Sequence, residues 1–186
     1  MSAFRRESAF AFVELLVVML ILVVLYSVVV GPTASYLRGQ KLTRCAENMR
    51  RLHLALTLYA NEHDGAFPAV PDAKSSAQPL GLLVPKYTSD PALLSCPEAK
   101  AGFGYAYVSG LKKDADGRQM LASDSQVNTS LKSNGAPLFS TDGKGAGSNH
   151  AAGGGNVLFV DGHVETFGTA TPFDLTLPPG TVLLNP

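Results

Sequence analysis

The chain has 186 residues, with 15 basic and 15 acidic side chains and no formal net charge at pH 7. That length allows one modest domain beside a long helix. The balanced charge and the lack of a basic tract argue against nucleic acid as the main partner, and two widely separated cysteines argue against a structural zinc site.

The first element is Phe10 to Val30, 21 residues carrying a single charge, Glu14. As a helix it is about 30 Å long, the thickness of a bilayer core. It is too long for the apolar core of a secretory signal peptide, and no A-x-A-like site follows it. The run therefore predicts a retained transmembrane helix over residues 10–31. Arg5 and Arg6 precede it and predict a short cytoplasmic leader over residues 1–9, with the remainder outside. Arg38, Lys41, Arg44, Arg50 and Arg51 lie on that outer side. A carboxylate at the midplane of a membrane helix costs about 2.5–3.5 kcal/mol, and less near an end. Glu14 either reaches the headgroups or awaits a cationic partner. Gly31-Pro32 predicts a kink or an end to the helix.

From Thr33 to His63 a helical pattern returns. Leu42, Cys45, Met49, Leu52, Leu56 and Tyr59 form one apolar stripe, which Leu54 and Leu58 widen. Gly65 predicts a left-handed cap, with Pro68 beyond it. Residues 32–65 are thus the outer half of a long helix, and residues 66–186 are a head that covers its stripe. Residues 69–80 read as a loop, and Leu82–Tyr87 and Asp90–Leu94 as short helical turns. Phe103–Ser109 reads as a strand and Arg118–Ser123 as its partner. Asp114 and Asp116 in the turn between them make only a fragment of a calcium loop, without its distal Glu. Residues 124–155 are a long Gly-rich loop with a short strand at 136–139. Asn156–Phe167 is the strongest β signal: Asp161-Gly162 predicts a two-residue type I′ hairpin. The tail, 168–186, either lies on the sheet or awaits a partner.

Cys45 and Cys96 are a bridge or two buried thiols. An oxidising compartment favours the bridge. Closing about 50 residues would contribute up to about 4 kcal/mol. Asp124, His150, Asp161 and His163 have the chemistry to surround one metal ion. The plainer reading makes Asp161 a turn residue, His163 an exposed strand partner and His150 a loop hydrogen-bonder. Ser148-Asn149-His150 forms neither a nucleophile elbow nor a triad, and the glycines of 143–155 lack the strand and helix of a phosphate-binding loop.

Basic residues, a small residue, Phe10, and an acid at the fifth place of an apolar run together resemble the class III signal of type IV pilins and type II secretion pseudopilins. Ala9 stands where that family usually has Gly, and Ala11-Phe12 where it often has Thr-Leu. Cys45, Asn48, Tyr59-Ala60-Asn61, Asp64-Gly65, Phe67-Pro68 and Cys96-Pro97 resemble a subgroup of pseudopilin-like proteins. So does the pair His150 and Asp161-Gly162, with ten intervening residues where the subgroup usually has nine. The resemblance implies an α+β, pilin-like fold and a periplasmic or extracellular head on a single-pass inner-membrane protein. It implies cleavage between Ala9 and Phe10 by a prepilin peptidase, N-methylation of Phe10, and pairing of Glu14 with a neighbouring subunit's terminal amine. It also raises the expectation of a Cys45–Cys96 disulfide. The implied partners are other pilin-like subunits, a platform protein and an assembly ATPase, and the implied role is mechanical and not enzymatic, with no cofactor. The rivals are a minor pilin that binds a surface or DNA, and a membrane-anchored metal-dependent enzyme.

Overall fold

The computed structural model describes residues 4–96, 104–125, 134–135, 137–139, 150, 154–168 and 173–186; the side chains of 4–11 and 29–38 lie outside the description. The chain divides into two compact units, Met1–Gly39 and Gln40–Pro186. Helix α1, Phe4–Glu62, contributes to both. It passes through Gly31-Pro32 without interruption, so of the two readings of that pair, a kink or an end, the end is excluded, and the one long helix expected is present.

In the first unit, the described side chains are residues 12–28. Phe12, Leu15, Leu16, Met19, Leu22, Tyr26 and their neighbours are exposed on every side of the helix, each by 45–69%. The expected single-pass inner-membrane placement is corrected: among the described residues, no helix is long and apolar enough to cross a membrane.

In the second unit, α1 buries a stripe. Cys45, Met49, Leu52, Leu56 and Ala60 are fully buried, and Ala46 and Ala55 nearly so. Leu54 and Leu58 do not widen it: they are 64% and 54% exposed. At about 100° per residue, Leu54 lies roughly 200° round the helix from Leu52, on the opposite face. The small alanines lie beside the stripe instead. The helix ends where the Ala60 carbonyl accepts from the amides of His63 (3.1 Å) and Gly65 (2.8 Å). Asp64 and Gly65 both take left-handed φ values, 51° and 78°, as a Gly-closed helix end requires.

The loop expected over 69–80 in fact begins α2, Ala77–Gly81. A 3-10 turn, Pro91–Leu94, follows, with the Asp90 carboxylate accepting from the Ala92 amide at 2.9 Å. Five strands form one sheet: β1 Tyr105–Ser109, β2 Met120–Asp124, β3 Gly155–Phe159, β4 Val164–Phe167 and β5 Val182–Leu184. Their order is β4-β3-β2-β1-β5, and each neighbouring pair is antiparallel. The small antiparallel sheet and its α+β class match the expectation. The tail supplies the edge strand β5, with Leu184 opposite Tyr107. The strand expected at 136–139 is a single bridge, Pro137 to Asp174; residue 136 lies outside the description.

β2 and β3 are buried throughout, so the sheet's centre is covered on both faces. β3 divides its side chains by the two-residue alternation of a strand. Asn156 turns to α1, where its Nδ2 donates to the Leu42 carbonyl at 3.0 Å. Phe159 turns the other way, edge-on to Phe173 at 5.9 Å between ring centroids. Gly155 leaves room for the Phe139 ring, which a Cβ would approach to 2.5 Å.

Candidate functional site

The second unit brings together a buried polar cluster at the end of β2. Asp124 closes that strand and has no exposure. The first residues of β3 lie alongside, because Ser123 pairs with Val157. This register places Asn156 against the carboxylate: Asp124 Oδ2 accepts from the Asn156 amide at 2.8 Å and from its Nδ2 at 2.9 Å. Asn156 Oδ1 in turn accepts from the Thr166 hydroxyl of β4 at 2.7 Å. One buried side chain thereby ties β2, β4 and α1 together. A buried amide satisfied at both ends favours a single register, since each lost bond would strand a polar group away from water.

His150 completes the cluster. Its Nε2 lies 3.3 Å from Asp124 Oδ2 and 3.5 Å from Cys96 Sγ, and its side chain is only 5% exposed. Cys96 is bonded to Cys45 of α1, with Cα atoms 5.2 Å apart, so the expected disulfide is present. Asn48, one turn along α1, donates from Nδ2 to the Ser95 carbonyl at 3.3 Å beside the bridge. The metal-binding atoms of Cys45, Cys96, Asp124 and His150 lie within 4.8 Å of one another. Tyr105 faces Asp124 across the β1–β2 ladder; burial and the nearby carboxylate raise its phenol well above the ordinary value, so it stays neutral.

The other two metal candidates lie elsewhere. Asp161 and His163 follow the far end of β3, about 15 Å away at the rise of a strand. They pair with each other, half-exposed. The His163 amide donates to Asp161 Oδ1 at 3.0 Å, and this bond, followed by the imidazole contact, lowers the Asp161 pKa. The sequence thus named two separate Asp–His pairs as one set, and it missed Asn156, Thr166 and both cysteines as neighbours of the buried pair. A readable signal existed: Asn156 is a polar residue opening a strand otherwise buried, and such a residue needs bonded partners.

The turn between β3 and β4 also differs from expectation. Leu158 pairs with Val164, the Phe159 amide donates to the His163 carbonyl at 3.0 Å, and the Gly162 amide donates back to the Phe159 carbonyl at 3.0 Å. This leaves a three-residue loop in which Gly162 alone takes a positive φ, 91°. It is a tight turn followed by a left-handed glycine, and not the type I′ pair. His53 of α1 explains the choice. Its Nε2 lies 2.9 Å from the Val160 carbonyl, and a Cβ on Gly162 would meet the His53 ring at 2.7 Å.

Of the processing and assembly residues, Glu14 lies in the exposed apolar stretch of α1, and the side chains of Ala9 and Phe10 lie outside the described residues. Comparison of the chain with protein-family models, with curated proteins and with solved structures returns no match.

Proposed function

We propose that the chain is a structural subunit of a type II secretion-like pseudopilus or a related type IV pilus-like filament, with a pilin-like fold and assembly through its N-terminal helix. The observation that carries this reading is the stretch 12–28 of α1, apolar and exposed all round, with one acid. A helix that is hydrophobic on every face needs cover. Copies of the same helix, side by side, would provide it. In such a bundle a lone carboxylate is costly unless paired. Cleavage between Ala9 and Phe10 by a prepilin peptidase would create the pairing group, a terminal amine at Phe10 that is then methylated. Glu14 of one subunit would meet that amine on the next and fix the axial register. A platform protein and an assembly ATPase would supply the remaining partners. The role in this reading is mechanical.

Intact mass of the protein from its native cells tests the reading. A chain starting at methylated Phe10 is expected, as is loss of filament assembly in Glu14→Ala with an unchanged disulfide. A chain retaining residues 1–9 while the peptidase is active on other substrates would overturn it.

A further inference from the structure

We propose that the Cys45–Cys96 disulfide and a bound zinc ion are alternative occupants of one site. When the bridge is reduced, Cys45, Cys96, His150 and Asp124 form a four-ligand centre for Zn²⁺. The proposal is independent of whether the chain builds filaments.

Four donors converge there: two sulfurs, one imidazole nitrogen and one carboxylate oxygen, all within 4.8 Å. Zinc takes four such ligands in tetrahedral structural sites, with bonds of about 2.0–2.3 Å. The donor spread is the size of such a coordination shell. His150 already presents Nε2 to both the carboxylate and a sulfur. The surroundings also suit a closed site, since Cys45, Cys96 and Asp124 are at most 1% exposed. Asn156 grips the carboxylate from outside the cluster with two hydrogen bonds. This is the arrangement that orients metal-ligating carboxylates. Four parts of the chain meet there, α1 through Cys45, the stretch before β1 through Cys96, the end of β2 through Asp124, and His150, and the ion would join them in place of the sulfur–sulfur bond.

The chemistry balances with an external dithiol. The S–S bond takes two electrons and two protons to give two thiols, and the dithiol becomes a cyclic disulfide. Zn²⁺ then displaces the two thiol protons to solvent, so affinity rises with pH. In the oxidised chain the sulfurs are bonded to each other, and only His150 and Asp124 remain as donors of ordinary strength.

The test uses the full chain in detergent, oxidised or reduced with a dithiol under mild denaturant and then refolded. Zn²⁺ titration is expected to give one ion per reduced chain and none per oxidised chain. Co²⁺ is expected to give a thiolate-to-metal charge-transfer band in the reduced chain alone. His150→Ala, which keeps both thiols, is expected to weaken zinc binding by at least about tenfold, since even outer-shell partners contribute that much. A reduced chain without bound metal, equal binding by the oxidised chain, or an unchanged affinity in His150→Ala would each overturn the proposal. Should the reduced chain fail to refold, recovery of its near-ultraviolet circular dichroism on adding Zn²⁺ supports the site, and no recovery overturns it.

Discussion

The molecule holds two Asp–His pairs built from the same residue types and put to different uses. Asp161 and His163 are two residues apart, bonded locally, and about half exposed. Asp124 and His150 are brought together across a long connection, buried, and wrapped by Asn156 and the disulfide. Water screens the first pair, and the turn would form with or without it. The second pair is buried away from bulk solvent, so each bond it makes must be replaced by another if it is lost. Sequence proximity is thus a poor guide to energetic weight. The pair that is easy to see in the sequence is the one that matters less.

The contrast breaks most clearly at Asp124. Asp124→Ala removes the acceptor for both Asn156 donors in a buried site, and a loss of about 3–5 kcal/mol in unfolding free energy is expected. Denaturant titration measures it; a loss below about 1 kcal/mol would mean the cluster is not a structural lock. Gly162→Ala probes the hairpin beside the exposed pair. It forces a side chain into a left-handed φ and against the His53 ring, for an expected cost of about 1–3 kcal/mol by the same titration. A neutral result would show that α1 does not hold the hairpin tip.

The smallest effect belongs to the exposed pair itself. Asp161→Asn should change stability by no more than about 0.5 kcal/mol at neutral pH. Its folded pKa is depressed by the His163 amide. Whatever stability it adds is therefore present above the unfolded carboxylate pKa and disappears as the pH falls through the folded one. The Tm difference between the wild type and Asp161→Asn should accordingly shrink to zero in acid. A difference that grows in acid would reverse the assignment.

The stripe from Leu42 to Tyr59 was readable because a helix repeats faithfully, and the Asp161-Gly162 turn because few residues tolerate its backbone. Leu54 and Leu58 are as hydrophobic as the stripe yet lie off it, because the helical angle, and not hydrophobicity alone, decides which face a residue occupies. The turn type depended on His53, more than a hundred residues earlier, and no local pattern carries such a constraint. The joining of Asp124, His150, Asn156 and the cysteines is likewise a product of strand register and of α1 lying against β3. The tail was opaque for a related reason: three apolar residues become a strand only because β1 has an edge to offer.

That last strand has a consequence for the protein as a solute. Without β5, the sheet would end at β1, whose Tyr105, Ala106, Tyr107 and Val108 are all buried in the folded chain. An apolar strand with open backbone groups is a template for pairing with other molecules. β5 moves that boundary outward to three residues, too short to recruit a stranger well, while the opposite boundary, β4, carries the charge of Glu165. The Ser76 amide holds the Asn185 carbonyl at 2.8 Å and anchors the cover in place. Residues 182–185 therefore act as a safeguard against sheet-to-sheet aggregation.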